Sequence, residues 1–504
     1  MQRQPHVVVV GAGVSGLTAA HRLTRSGARV TVLEAAPRIG GKLHATPFAG
    51  VPVDAGAESV LARRPEALDL IAELGLSDRL VHPAPVPASL YSRGRLRPFP
   101  ATQVMGVPGD LADLARSGVL SPLGTLRAGL DLVLPPTPLR GDVSVAGHIG
   151  ARMGREVVDR LVEPMLGGVY AGRAERLSLE ATLPQIAQAA RRERSLLRAV
   201  GRTARRRRRE REGVPGGPVF AGLRGGISVL VGELARQCGA DVQTSATVRA
   251  LAQTARGWRL TVGAAAPDAP RQAPREIAAD GVVLACPAPA AARLLGEAAP
   301  EAARDLAGVE YASMAIVTLA YPAAAFARPP RRSGFLVSSR EGLAIKAATF
   351  SSVKWPWLDE ELRAAHPGED TVVVRCSIGR AGETALLQRG DDELAALAAA
   401  DLARVCGVAG APVQSRVTRW GGGLPQYDVG HTARVARVRA EAARHPGLAL
   451  CGAAYDGVGI PACIAGATGA AAGLAAALPG IGERGAAAPA PTTHDHTDQT
   501  RSHP

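Results

Sequence analysis

Four consecutive valines, Val7 to Val10, run into the small residues Gly11-Ala12-Gly13-Val14-Ser15-Gly16, and apolar positions then recur at helical spacing through Leu17, Ala20 and Leu23. A second apolar run, Val30 to Leu33, ends on Glu34. The pattern predicts a strand, a tight turn, an amphipathic helix and a second strand. Further on, Ala67, Leu68, Leu70, Ile71 and Leu74 predict a helix over Pro65 to Leu76, closed by Gly75, and an extended, proline-punctuated stretch runs from Pro83 to Pro100. A mostly helical region follows from Val104 to Ala199, interrupted by Pro122, Pro135, Pro136, Pro138 and Pro164. A strand and helix return between Gly222 and Cys238. Trp258 to Val262 and Gly281 to Ala285 read as strands, and the near-continuous apolarity of the second places it in the middle of a sheet. From Tyr311 to Arg419, β-prone runs such as Ala315 to Leu319 and Thr371 to Arg375 alternate with helices, as in a second domain. Leu448 to Leu450 is one more strand, and Ala462 to Leu478, behind Pro461 at a first helical position, reads as a buried helix.

The opening unit carries chemistry as well as structure. The first glycine allows the tight turn, the second lets the backbone approach a pyrophosphate, and the third lets helix pack on strand. Phosphates then meet the unpaired N–H groups of the helix N-terminus, while Glu34 can accept hydrogen bonds from an adenosine ribose. Arg38-Ile39-Gly40-Gly41-Lys42 and Asp54-Ala55-Gly56-Ala57-Glu58-Ser59 follow. A glycine doublet continues the backbone cradle, and a basic residue beside it neutralises phosphate. With Glu34, this arrangement resembles the FAD-binding start of the amine oxidase-like flavoproteins.

Composition narrows the choice. A chain of 504 residues with 46% hydrophobic content exceeds one ordinary core, so two or three domains are expected. Aromatics make up only 3%, leaving alanine, valine and leucine to do the packing. The six cysteines (Cys238, Cys286, Cys376, Cys406, Cys451 and Cys463) show no metal-ligand spacing, which implies free thiols in a reducing compartment and no metal site. The N-terminus shows no leader pattern, and a cytoplasmic location is expected, with membrane association left open. Of the net charge of +14, a net +9 falls between Arg191 and Arg211, without interleaved aromatics. That run reads as a solvated helix or mobile connection, with an anionic surface as the alternative, and not as a nucleic-acid site. No Ser-His-Asp, Cys-His or paired-carboxylate constellation is present, so no catalytic side chain is assigned.

Three later segments carry a more specific resemblance. They are Glu163-Pro164-Met165-Leu166-Gly167-Gly168-Val169-Tyr170-Ala171-Gly172, Arg419-Trp420-Gly421-Gly422-Gly423-Leu424-Pro425-Gln426-Tyr427, and Gly457-Val458-Gly459-Ile460-Pro461-Ala462-Cys463-Ile464. Together with the opening, they make residues 5 to 480 resemble the porphyrinogen oxidases of haem biosynthesis. The resemblance implies an α/β fold: a discontinuous Rossmann-like FAD-binding domain (1–80, 221–295 and 445–482), an α+β substrate domain (81–100 and 296–444) and a helical domain (101–200), with a basic linker at 201–220 and a disordered tail at 483–504. It places non-covalent FAD against Gly11, Ala12, Gly13, Gly16, Glu34, Gly41, Lys42, Gly56, Ser59, Val248, Trp420, Val458, Gly459 and Ile460. Cys463 is then a buried thiol rather than an attachment point. The implied chemistry is three successive hydride transfers from a porphyrinogen to flavin, with dioxygen as acceptor and hydrogen peroxide released.

Propionate number separates the two substrates such enzymes take. Members acting on protoporphyrinogen carry an arginine where alignment puts Ala88, whereas Arg63, Arg64 and Arg95, with Arg93 and Arg97, offer cations for the four propionates of coproporphyrinogen III. Coproporphyrinogen III is therefore the expected substrate and protoporphyrinogen IX the alternative. A flavin amine oxidase and a non-catalytic docking module are the readings from other classes. Product handover to the pathway's ferrochelatase and a peripheral membrane contact are further partners the resemblance suggests. Asp110 to Leu134 reads as an amphipathic helix pair packed on the substrate domain.

Overall fold

Five parallel strands organise the half of the molecule that begins the chain. Their order is 241–243, 29–33, 6–10, 281–284, 448–450, so three widely separated stretches of sequence lie side by side. His6–Val10 and Gly281–Leu284 occupy the middle and are buried at every position, which is why Val7 to Val10 and Val282 to Leu284 are apolar without alternation. The helix Val14–Arg25 crosses to Arg29–Leu33 and packs on the last helix, Ile460–Ala477. That last helix is the one helix among the described residues with the length and apolarity of a membrane span. Its alanines and glycines permit close approach to Val14–Arg25, and Cys463, Ile464, Ala467, Ala471 and Leu474 join that core. The computed structural model describes residues 4–209, 218–263 and 274–479.

A second sheet of seven strands runs 414–425, 311–322, 371–378, 345–350, 334–337, 88–92, 95–98. It is antiparallel except where Gly334–Val337 pairs with Ala88–Ser92. The proline-punctuated segment is thus the edge of this sheet, with prolines where a missing N–H does no harm. On Thr371–Ile378 the residues Val372, Val374, Cys376 and Ile378 face the apolar core, which leaves Arg375 and Ser377 on the opposite face.

The predicted helical region forms short helices from Leu111–Ser117 to Leu196–Arg209 around one core containing Leu114, Ile149, Met153 and Leu166. Buried Asp131 ties this region together: it accepts from Arg152 Nε at 2.6 Å, from Ser195 Oγ at 2.7 Å and from the Leu197 amide at 2.9 Å.

Three expectations change here. The basic segment expected as a linker from 201 is helical as far as Arg209, because buried Leu196, Leu197 and Val200 anchor the start of a helix of good helix-formers. Residues 210–217, like the tail at 483–504, lie outside the described residues. The pair expected over Asp110 to Leu134 does form, as Leu111–Ser117 and Pro122–Gly129. However, it presents Leu123, Leu126, Leu130 and Val133 outward, at 78, 68, 42 and 67% exposure. In addition, the helices Pro300–Ala307 and His431–Ala442, expected with the substrate domain, join the core beneath Gly281–Leu284 and Leu448–Leu450.

Candidate functional site

One cavity of about 770 Å³ runs from the ends of the parallel strands to the exposed face of the seven-stranded sheet. The turn at its head requires its glycines. Gly11 has φ +107°, and a Cβ there would lie 2.9 Å from the Ala285 carbonyl oxygen, while a Cβ at Gly16 would lie 1.8 Å from the Gly11 carbonyl oxygen. Gly13, by contrast, has open space where a Cβ would stand, and it lines the cavity. Glu34, at the tip of its strand, accepts the Ala12 amide on one oxygen and the Ala36 amide on the other, each at 2.8 Å. The carboxylate is fixed in orientation with lone pairs left over for hydroxyl donors.

The second glycine loop closes the wall. Gly40 donates to the Ala12 carbonyl at 2.8 Å, which draws Gly41 and Lys42 alongside Gly13. Burial holds the Lys42 ammonium below its usual pKa of 10.5, a penalty that an anion in the cavity would offset. Gly56 sits so close that a Cβ would meet the Lys42 carbonyl oxygen at 2.0 Å, and its other neighbour is the ring of Trp420. Trp420 donates to the Ala55 carbonyl at 2.9 Å, so its indole is a clasp across the loop as well as a cavity wall.

The three later motifs meet each other. Gln426 donates to the Tyr170 carbonyl at 2.8 Å, and the rings of Tyr170 and Tyr427 are 5.6 Å apart. Tyr427 donates its hydroxyl to the Ala453 carbonyl at 2.6 Å and stacks at 3.9 Å on His431. This clasp fixes the turn that leads into Val458, Gly459 and Ile460, where the helix Ile460–Ala477 begins and its unpaired N–H groups open on the cavity.

Of the predicted cofactor residues, Gly11, Gly13, Glu34, Gly41, Lys42, Gly56, Ser59, Val248, Trp420, Val458, Gly459 and Ile460 all line this one cavity. Ala12 and Gly16 stand just behind the lining, the first bonded to Glu34 and the second pressed on Gly11. Cys463 also lines it, its thiol buried and pushed up in pKa by that burial. A cradle of such closely approached glycines, a buried lysine, a carboxylate at the second strand tip and a helix N-terminus fit the phosphates, ribose and ring of a flavin dinucleotide.

The predicted substrate arginines are not brought to this wall. Arg64 precedes the helix Pro65–Glu73 and is held by Glu66 at 2.5 Å, and Arg95 is exposed on the outer edge of the sheet. Arg63 is likewise absent from the lining. Arg93 is turned away by a bond to the Leu120 carbonyl at 2.9 Å, and Arg97 by one to the Ser92 carbonyl at 3.0 Å. The charged side chains that do line the cavity are Glu34, Lys42, Glu58, Arg293 and Arg375. Arg293 stands at the Glu34 end, on the helix Ala288–Leu295 that packs on the strand bearing Val248. Arg375 is joined to Glu58, which also takes Lys354. Burial alone would raise the Glu58 pKa, but these two cations hold it down at about 2. Sequence reading missed Lys354 and Arg375 because no local pattern marks them; strand register brings Arg375 to Glu58, and the short helix Ser351–Lys354 brings Lys354.

A Rossmann-like sheet whose crevice carries this cradle, set against a second sheet across one cavity, defines a flavin-dependent oxidoreductase. The chain belongs to the flavin containing amine oxidoreductase family, whose model matches residues 14–475. It is 38% identical over 467 residues to a coproporphyrinogen III oxidase of Mycobacterium leprae, covering 91% of this chain and 96% of that protein. It is also 32% identical to the Bacillus subtilis coproporphyrinogen III oxidase, covering 95% of it, and 29% identical to the chloroplastic protoporphyrinogen oxidase 1 of Spinacia oleracea, covering 82%. A crystal structure of a candidate protoporphyrinogen oxidase from Exiguobacterium superposes with a TM-score of 0.78 at 30% identity, over 94% of this chain and 99% of that one.

Proposed function

We propose that this protein oxidises coproporphyrinogen III to coproporphyrin III in haem biosynthesis, using non-covalently bound FAD and passing the electrons to dioxygen as hydrogen peroxide. The observation that carries the reading is the continuity of the cavity. Its dinucleotide cradle opens without a partition onto a wall of Leu336, Ala347, Met314, Ile316 and Val169, apolar enough for the body of a tetrapyrrole. Full-length similarity to bacterial coproporphyrinogen III oxidases supports that substrate over protoporphyrinogen IX.

FAD, when bound, supplies the two-electron redox chemistry. Lys42 and the N-termini of Val14–Arg25 and Ile460–Ala477 would balance its charge, Glu34 would hold its ribose, and Gly56, Ser59 and Trp420 would hold its ring. The apolar wall excludes water from the reacting bridge carbon. The domain division expected from sequence, with Pro300–Ala307 and His431–Ala442 moved to the cofactor domain, belongs to the same reading, with the helical region covering the substrate wall through Gly168 and Val169. Parallel oxygen-uptake measurements with the two porphyrinogens test it: faster turnover of coproporphyrinogen III is expected, and equal or faster turnover of protoporphyrinogen IX would overturn the choice.

A second reading concerns partners. The outward stripe of Leu123, Leu126, Leu130 and Val133 favours a peripheral contact with a membrane surface or with the ferrochelatase that receives the product. Co-sedimentation with anionic vesicles, and its loss in Leu123→Ser/Leu126→Ser, tests the first of these.

A further inference from the structure

With the expected arginines turned outward, the cavity has to recognise the carboxylates of its substrate by other means. The face of the seven-stranded sheet that lines it is apolar along most of its length. Arg375 is the one cation that this sheet contributes to the cavity lining among the described residues, and Thr349 is its cross-strand neighbour.

Arg375 is held on three sides. One guanidinium nitrogen meets Glu58, another donates to the Gly56 carbonyl at 2.5 Å, and Lys354 shares the Glu58 carboxylate from behind. The third donor, Nε, is buried with no acceptor. Two residues along the same strand and on the same face, the Ser377 hydroxyl is also buried without a partner. Two orphaned polar groups at alternate positions of one strand are costly in a folded protein and call for an acceptor supplied from outside the chain. Lys354 and Arg375 outnumber the Glu58 carboxylate, and the neighbouring Asp54 carboxyl, raised by burial to about 7, does not fully offset them, so the cluster favours an anionic acceptor. The pyrimidine edge of a bound flavin would have its own partner in the N-terminus of Ile460–Ala477, at Val458 to Ile460.

We infer that Arg375 and Ser377 form the anchoring subsite for one propionate carboxylate of the porphyrinogen, and that Glu58 and Lys354 are positioning residues which aim the guanidinium. This inference rests on the proposed reaction and names a specificity determinant for it. One fixed carboxylate would set the macrocycle's rotation against the flavin, which the apolar wall alone leaves free.

The test measures binding of coproporphyrin III and of its tetramethyl ester to the FAD-loaded protein by porphyrin fluorescence, alongside KM and kcat for coproporphyrinogen III. Arg375→Met is expected to weaken binding of the free acid about tenfold and to raise KM in proportion, with flavin content and ester binding unchanged. Ser377→Ala, which removes only an unpartnered hydroxyl, is expected to weaken the free acid about threefold. If Arg375→Met fails to fold because Glu58 keeps a single cation, Arg375→Lys retains the charge but not the Nε donor and must show the same free-acid defect. Equal weakening of acid and ester, unchanged binding of both, or a loss of FAD from the variants would overturn the assignment while leaving the proposed reaction standing. Wild-type protein that carries FAD yet oxidises no porphyrinogen would instead overturn the reaction itself, and the subsite with it.

Discussion

Glu34 accepts the Ala12 amide at 2.8 Å, so the carboxylate that would hold a ribose is itself held by the glycine turn that would hold the phosphates. The two halves of the nucleotide site are therefore one unit. Glu34→Ala removes both the ribose acceptor and the turn's support, and FAD affinity is expected to fall roughly ten- to a hundredfold, as for loss of charged hydrogen bonds. Flavin absorbance per protein after dialysis checks this.

Gly13 and Gly16 separate binding from folding. Gly16→Ala drives a methyl into the Gly11 carbonyl and is expected to yield little soluble protein. Gly13→Ala meets nothing in the chain, and its φ of −74° suits any residue, so it should fold with an unchanged melting temperature while losing FAD. Circular dichroism melts of the two apoproteins distinguish the outcomes.

His431 gives the stability a pH dependence. Burial, with Arg434 adding to it, lowers its pKa from 6.5 to about 4. Between those values the unfolded chain takes up a proton that the folded imidazole refuses, so the contribution is fully present above the upper value and is lost as pH falls through the window. By the linkage relation, the wild-type should lose about 2 to 3 kcal/mol from this group by the bottom of the window. His431→Phe, which can keep the stack on Tyr427, should show a shallower acid dependence in urea unfolding.

Asp131 is the anchor of the helical region, since the Arg152 guanidinium, the Ser195 hydroxyl and the Leu197 amide all converge on it. Asp131→Ala leaves Arg152 buried and uncompensated, and a loss of about 3–5 kcal/mol is expected. Thermal denaturation should show it, while porphyrinogen oxidation below the melting range persists because neither residue lines the cavity.

The cofactor side was far more legible in the sequence than the substrate side, for a physical reason. A phosphate cradle is written by neighbours: Gly11 to Gly16, Glu34 and Gly41-Lys42 owe their positions to one strand, one turn and one helix, so spacing along the chain stands for spacing in space. A substrate wall built from sheet faces obeys no such rule. Arg375 reaches Glu58 across 317 residues, through pairings of Thr371–Ile378 that no local pattern records. Arg64 follows the glycine loop and Arg95 sits in a basic cluster in the next extended segment, which makes both suitable by sequence, yet Glu66 and the sheet edge hold them elsewhere. The helical character of Leu196–Arg209 was hidden in a similar way, because its charge run suggested solvent while its first turns are pinned by buried leucines.

The central sheet takes its final strand, Leu448–Leu450, and the helix facing the turn from the far end of the chain. During synthesis the glycine turn would leave the ribosome first and wait for more than four hundred residues before its opposite wall existed. Flavin capture is thus a late event in biogenesis, and a prematurely terminated product, however well begun, would carry no colour.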